Sequence, residues 1–100
     1  MITHIVLCKL RPDLSADKLA AVWAELEALR DVVPGMTGAR FGANVSPEGL
    51  ARGHTHAFVM TFESAATRDA YLEHPAHKEA GAALVSVCDG GVDGLTVVDI

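Results

Sequence analysis

The ten residues His54–Glu63, with the sequence HTHAFVMTFE, form the clearest strand pattern in this 100-residue chain. Successive side chains of a strand point to opposite faces of a sheet, so the pattern separates two faces. One face carries the larger side chains His56, Phe58, Met60 and Phe62, and the other carries Thr55, Ala57, Val59 and Thr61. The pattern predicts a strand whose larger residues contact the core of the domain.

Three further strands and three helical segments are predicted around this strand. Ser15 is a suitable cap for a first helix, which Pro34 and Gly35 stop, and Ser64 is a suitable cap for a second. The predicted strands cover 2–10, 36–44, 54–63 and 95–100, and the predicted helices cover 15–32, 65–73 and 76–87. The segments 45–53 and 88–94 are rich in glycine and are predicted to be loops.

With the two helical segments 65–73 and 76–87 counted as one unit, the order is β-α-β-β-α-β. It predicts an α+β fold of the ferredoxin-like type in a single domain over residues 1–100. Right-handed crossovers place the helices on one face of a four-stranded antiparallel sheet. We expect the other face to carry more apolar side chains than a water-exposed surface tolerates. These residues are Ile5, Leu7, Ala39, Phe41, Ala57 and Val59. A second copy packed sheet to sheet would cover them, which predicts a homodimer.

The composition excludes several classes of partner. The chain has 8 basic and 13 acidic side chains and no run of Lys or Arg, whereas binding to a nucleic-acid backbone needs clustered cations. No apolar stretch approaches the length of a membrane span, and the start of the chain has no signal-peptide pattern. We therefore expect a cytoplasmic protein with no nucleic-acid or membrane partner, in which Cys8 and Cys88 are reduced thiols.

The segment Ala70–Lys78, AYLEHPAHK, places a phenol, two imidazoles and a proline at a junction between two helices. His74 precedes the proline and is expected to break the helix, while Pro75 suits the first position of the next one. His77 would then be about the third residue of that helix, whose positive end should lower its pKa. His77 is a candidate general base and Tyr71 a candidate donor to an oxyanion. The alternative is that the two side chains only bond to each other or to the backbone.

Two histidines lie on strand faces that they share with large apolar side chains. We expect His4 and His56 to converge from neighbouring strands on one pocket, although a lone histidine in such a position is usually a hydrogen-bonded core residue. His54 and His56 have a spacing that suits a metal ion, but no third ligand follows, so no metal site is expected. No phosphate-binding glycine loop or nucleotide fingerprint is present, so no cofactor is expected.

Several segments of the chain resemble the stress-responsive A/B barrel (Dabb) domain family, a branch of the dimeric α+β barrel superfamily. They occur in the family order over the whole chain, and the His-Pro-Ala-His segment is the most specific of them. The segments are His4–Leu7, Thr55–Val59, Phe62–Ser64, Tyr71–His77 and Val97–Asp99. The resemblance implies a homodimer whose two sheets close into a barrel, in agreement with strands that are apolar on both faces.

The resemblance also implies a site. A plant polyketide cyclase of this family, which closes its substrate by an aldol reaction, uses a tyrosine and a histidine that match Tyr71 and His77. Its pocket includes histidines that match His4 and His56. Trp23 keeps an aromatic ring on the helix beside the pocket, so we expect Trp23 and Phe58 to contact substrate together with the two histidines.

The chain differs from the cyclase on its last helix, and it has positions that match a cation site of other relatives. The bulky lining that the cyclase has on its last helix is replaced here by Ala80, Ala82 and Ala83, so the shape of the pocket and the substrate do not carry over. Some relatives bind a cation through backbone carbonyls after the first helix. The matching positions in this chain are Arg30, Val33 and Met36.

Three functions are compatible with these observations. In the first, the pocket binds a small apolar or aromatic oxo compound, and His77 and Tyr71 perform cofactor-free acid–base chemistry of the cyclase or lyase type. In the second, the protein is a non-catalytic dimer that acts in a stress response through ligand binding or partner contact. The third is a cofactor-free monooxygenase, because such enzymes share the predicted fold.

Overall fold

The computed structural model describes residues 1–100 as four strands and three α-helices, close to the predicted ranges. The strands are β1 (Ile2–Cys8), β2 (Met36–Ala43), β3 (His56–Phe62) and β4 (Leu95–Asp99). The α-helices are α1 (Ala16–Glu27), α2 (Ala65–Glu73) and α3 (Pro75–Val87), and 3₁₀ turns occupy Ala28–Asp31 and Gly91–Gly94. The first helix therefore changes to a 3₁₀ turn before the predicted end near residue 32.

The four strands form one sheet in the order β2-β3-β1-β4, and every neighbouring pair is antiparallel. The N-caps of α1 and α2 are the predicted ones, since the hydroxyls of Ser15 and Ser64 accept hydrogen bonds from the amides of Lys18 and Thr67. The core lies between one face of the sheet and the helices. This arrangement confirms the predicted ferredoxin-like α+β fold.

The core face of the sheet is the large-residue face predicted for β3. Phe58, Met60 and Phe62 are each at most 3% exposed, and Val6 of β1 lies directly opposite Phe58. Leu26 of α1 and several residues of α3 cover them. The two cysteines are buried and unpaired, and burial raises the pKa of Cys8 to about 12, so its sulfur remains a thiol.

The prediction for β2 is wrong for two residues. Ala39 and Phe41 were expected on the uncovered face, but both pack against the core beneath the helices. The register pairs Phe41 with Phe58 and Ala39 with Met60, and directly opposed residues of an antiparallel pair share a face. A register shift between Met36 and Gly38 accompanies this pairing, and a slip of one residue exchanges the two faces of a strand.

The face of the sheet away from the helices remains apolar after this correction. We call it the open face, and its side chains come from all four strands. At its centre Ile5 lies between Val59 of β3 and Val98 of β4. Its other members include Leu7, Arg40, Ala57 and Thr96. None of the chain's own helices packs on this face. Separately, no helix combines the length and the apolar character that a membrane crossing requires.

Gly35 controls how β2 enters the sheet beside α2. Its φ of +84° lies in the left-handed region, and a Cβ at this position would overlap Thr67 Cγ2. We expect Gly35→Ala to lower the free energy of unfolding by about 2–4 kcal/mol, from the backbone strain and the overlap together. Urea denaturation measures this change. The double variant with Thr67→Ser should recover part of the loss, because serine lacks Cγ2 but keeps the hydroxyl.

Gly81→Ala is the matched control for this prediction. Gly81 lies inside α3, and a Cβ there would meet no atom within 4 Å. Because glycine weakens a helix interior, this variant should be more stable than the wild type by about 0.5–1 kcal/mol. Equal stability of the two alanine variants would contradict the role given to Gly35.

Candidate functional site

An apolar cavity of about 610 Å³ lies between α3 and the core face of the sheet. Most of its wall is hydrocarbon, contributed by β1, β3, β4, α1 and α3. Four side chains in the wall carry polar atoms: His4, Tyr71, His77 and Lys78. The apolar part of the wall includes Val6, Leu26, Phe58, Leu84, Val85, Leu95 and Val97. A cavity of this size with a few convergent polar groups is typical of a small-molecule site.

The helix break positions the polar side chains. His74 has extended backbone angles (φ −68°, ψ 133°), and its Nδ1 accepts a hydrogen bond from the amide of Ala76. Pro75 occupies the first position of α3, so His77 is the third residue of this helix, as predicted. His74 therefore serves as the cap of α3, and the chain turns there so that Tyr71 and His77 face each other across the junction.

His77 has one ring nitrogen occupied and one available. Its Nδ1 lies 3.1 Å from the carbonyl oxygen of Leu72, and because a carbonyl only accepts, Nδ1 must carry the proton. In the neutral ring, Nε2 is then a proton acceptor. Burial lowers the pKa of His77. The ammonium of Lys78, and the rings of His4 and His74 when they are protonated, lower it further, whereas the bond to Leu72 acts in the opposite direction. The pKa shift has the predicted direction, with burial as its largest cause.

Tyr71 is a hydrogen-bond donor in this environment. Its side chain is 1% exposed, and burial raises its pKa, so the phenol stays protonated at neutral pH. The hydroxyl donates to Met60 Sδ at 3.3 Å, and a thioether is a weak acceptor. The rings of Tyr71 and His77 are 4.3 Å apart between centroids at an interplanar angle of 52°, and no hydrogen bond joins them. The two groups are adjacent but not committed to each other.

His4 is held by a hydrogen-bond network that was not among the predictions from the sequence. Its Nδ1 lies 2.7 Å from Asp99 Oδ1, and Asp99 Oδ2 accepts a hydrogen bond of 2.6 Å from Arg68 Nη1. Although burial acts to raise the pKa of Asp99, the hydrogen bonds from Arg68 and His4 hold it below its usual range. Asp99 is therefore a carboxylate, and Nδ1 of His4 carries a proton that it donates to Asp99; in the neutral ring, Nε2 is then an acceptor.

A sequence signal for Asp99 existed. The ferredoxin-like topology makes β4 a neighbour of β1, and the observed register pairs His4 with Asp99. A carboxylate at the end of β4 could therefore have been assigned to His4 near the start of β1. Arg68 had no such signal, because its place on α2 becomes significant only once α2 packs beside the end of β4.

The expected convergence of His4 and His56 is wrong. His4 pairs with Met60, whereas His56 pairs with Cys8, so the two histidines are four residues apart along β1, about 13 Å. His56 instead lies 6.2 Å from Trp23 between ring centroids, and Trp23 also contacts Phe58. Neither His56 nor Trp23 lines the cavity, whereas Phe58 does. Of His56, Trp23 and Phe58, only Phe58 lies at the cavity wall, and the role of each of the three in substrate binding stays a prediction.

The alanine-rich segment of α3 contributes unequally to the cavity. Ala82 and the neighbouring Gly81 line it, whereas Ala80 is 0% exposed in the core and Ala83 does not line it. The lack of bulk at 81 and 82 leaves room in this part of the cavity. The structure thus supports the expectation that this helix gives the cavity its own shape, through Gly81 as well as Ala82.

The carbonyl positions that the resemblance implied for a cation lie beside a different hollow. Arg30 and Met36 line a depression of about 500 Å³ after α1. The carbonyl of Val33 accepts a long hydrogen bond of 3.4 Å from the amide of Met36, so it is partly occupied within the chain. Cation binding at these carbonyls stays a prediction. No group of three or more His, Cys, Asp or Glu side chains has the arrangement of a metal site.

Two known proteins have sequences similar to most of this chain, and one of them is named for a cyclase activity. The chain is 30% identical to the stress-response A/B barrel domain-containing protein HS1 of Arabidopsis thaliana, over 98% of this chain and 86% of that protein. It is 26% identical to olivetolic acid cyclase of Cannabis sativa, over 76% of this chain and 75% of the cyclase.

Solved structures agree with the fold over nearly the whole chain. A dimeric ferredoxin-like protein of unknown function from Jannaschia sp. CCS1 superposes with a TM-score of 0.89 at 34% identity, over 99% of this chain and 96% of that one. The hydroxynitrile lyase of Passiflora edulis superposes with a TM-score of 0.87 at 25% identity, over 99% and 90%. The sequence profile of the Stress responsive A/B Barrel Domain family matches residues 2–100. The chain therefore belongs to the stress-responsive A/B barrel domain family.

Proposed function

We propose that this protein is a homodimeric enzyme that removes a proton next to the carbonyl group of a small apolar or aromatic oxo compound, without a cofactor. The reaction class is that of a cyclase or lyase acting through an enolate. The observation that carries the proposal is the neighbouring pair of His77 and Tyr71 in the wall of an apolar cavity. Relatives named for cyclase and lyase activity support an enzymatic function.

His77 is the proposed general base. Its Nδ1 is bonded to Leu72, so Nε2 is the atom that receives the substrate proton. Because its pKa is lowered, the ring is neutral at neutral pH, which is the state that a base requires. The proton then resides on Nε2 of an imidazolium, from which it can return to the product in a later step.

Tyr71 is the proposed donor to the enolate oxygen. Its phenol is protonated, and a turn of the hydroxyl away from Met60 Sδ replaces a weak acceptor with a charged one. The apolar wall strengthens this bond, because few other groups compete for the developing charge at low dielectric. His4, with its proton directed to Asp99, offers a second acceptor nitrogen at the same end of the cavity.

A second candidate is a ligand-binding dimer without catalysis. One specific observation favours it: the hydroxyl of Tyr71 is bonded to Met60 and Nδ1 of His77 to the carbonyl of Leu72, so each polar side chain already has a partner within the fold. Oxygen chemistry has no comparable observation among these residues in its favour, and oxygen consumption in the same assays would report it.

The pair can be tested by proton exchange. We expect the wild type to catalyse the incorporation of deuterium from D₂O next to the carbonyl of apolar ketones. Loss of the corresponding ¹H NMR signal measures the rate. His77→Ala and Tyr71→Phe should each slow exchange by about 100-fold or more, while thermal unfolding changes little. His54→Ala is the matched control, because this histidine lies outside the cavity lining and bonds to Ala51 and Thr96, and its rate should equal that of the wild type.

The outcomes of this test separate the two candidates. Binding of ketones without exchange in the wild type would favour the ligand-binding dimer. A loss of about 1–3 kcal/mol of stability in His77→Ala, with unchanged exchange, would mean that His77 only supports the fold.

The lowered pKa of His77 predicts a pH dependence of stability. Between its lowered pKa and the ordinary value of 6.5, the unfolded chain binds more protons at this residue than the folded chain. Stability should therefore fall as the pH decreases through this window, and His77→Gln should lack this contribution. Urea denaturation of both proteins as a function of pH measures the difference, and parallel curves below pH 6.5 would contradict it.

The homodimer can be tested at the open face. Val59 lies near its centre, opposite Ile5 and Arg40. We expect the wild type to sediment as a dimer and Val59→Lys to weaken association by about 100-fold or more, because the dimer would bury an unpaired charge. Val92→Lys, at a residue that is already 67% exposed on another part of the surface, should remain dimeric. A monomeric wild type at micromolar concentration would exclude the barrel.

A further inference from the structure

The wall of the cavity is polar at one end and apolar at the other. His4, Tyr71, His77 and Lys78 lie together where α3 begins and where β1 pairs with Asp99. Along α3 the wall continues through Gly81 and Ala82 to Leu84 and Val85, about 12 Å from His77. Along β4 it passes from Val97 to Leu95. A molecule that fills this space should therefore have a polar head and an apolar body.

Lys78 is the charged residue of the cavity wall. It is the one lysine or arginine in the cavity wall, and no aspartate or glutamate lines the cavity. The first turn of α3 adds the partial positive charge of a helix N-terminus at the same place. The chain as a whole carries a net charge of −5, so this local positive end contrasts with the rest of the molecule.

We propose that the natural ligand of the cavity is an amphiphilic acid, with a carboxylate held at Lys78 and an apolar body along α3. The proposal rests on the proposed function in using the same cavity, and it adds the class of the ligand. It makes Lys78 a specificity-determining residue. The carbonyl group on which His77 and Tyr71 act would lie between the carboxylate and the apolar body.

Glu73 sets the strength of this interaction in the free protein. Its Oε2 lies 3.6 Å from Lys78 Nζ, and the two side chains are 83% and 64% exposed. An exposed pair at this distance is weak, so a ligand carboxylate that also buries its apolar body can displace Glu73. Removing the Glu73 charge should therefore strengthen the binding of acids, and removing the Lys78 charge should weaken it.

The test uses three probes of equal chain length: octanoate, octanol and octylamine. Isothermal titration should show that the wild type prefers octanoate. In Lys78→Gln the affinity for octanoate should fall about tenfold while that for octanol is unchanged. Glu73→Gln should bind octanoate more tightly than the wild type. Lys18→Gln, which removes an exposed lysine of α1 remote from the cavity wall, is the matched control and should behave as the wild type.

A cavity-filling variant locates the binding. A Cβ at position 81 would meet no atom within 4 Å, and Gly81 lines the cavity, so we expect Gly81→Leu to fold with its side chain in the cavity. This variant should abolish binding of octanoate and octanol alike. Equal affinity for octanoate and octanol in the wild type would overturn the acid specificity but leave the proposed function intact. Octanoate binding that persists in Gly81→Leu would overturn the proposal, and binding of none of the probes would count against the apolar cavity itself.

Discussion

The register of β1 against its two neighbours is the constraint on which the site depends. β1 runs through the middle of the sheet, so one residue on it determines contacts on both sides. His4 lies opposite Met60 of β3 and opposite Asp99 of β4. The first pairing places the thioether that receives the hydroxyl of Tyr71, and the second supplies the carboxylate that orients His4. A register slip of one residue would turn His4 to the open face and remove both.

The helix break at His74 and Pro75 is the second element of the site. A continuous helix would direct Tyr71 and His77 to different sides, since six residues along a helix correspond to more than one and a half turns. The break lets α2 supply a buried phenol and α3 supply an imidazole from its first turn. The same break leaves the carbonyl of Leu72 without a helical partner, and this carbonyl holds His77 Nδ1. One interruption of the backbone therefore determines both the position and the tautomer of His77.

Burying these polar groups in a small core requires that their hydrogen-bonding capacity be met. No buried side-chain nitrogen or oxygen lacks a partner. The partners differ in strength: His4 bonds to a carboxylate, His77 to a carbonyl and Tyr71 to a sulfur. The strong bonds keep His4 and His77 in defined tautomers, whereas the weak bond of Tyr71 leaves its hydroxyl available to a ligand. The rings of His4 and His77 are thus held in place, whereas the hydroxyl of Tyr71 in the same cavity can turn to a ligand.

Local patterns in the sequence were sufficient to determine the elements, the caps at Ser15 and Ser64 and the break at His74. Each of these depends on neighbours within one or two turns. The tertiary structure decided the face of Phe41, the separation of His4 from His56, and the network of Arg68 and Asp99. These depend on strand register and on packing between elements distant in the chain, which alternation within a single strand does not specify. The sequence named His4, Tyr71, His77 and Phe58 of the cavity wall, but their partners, and the exclusion of His56 and Trp23 from that wall, required the fold.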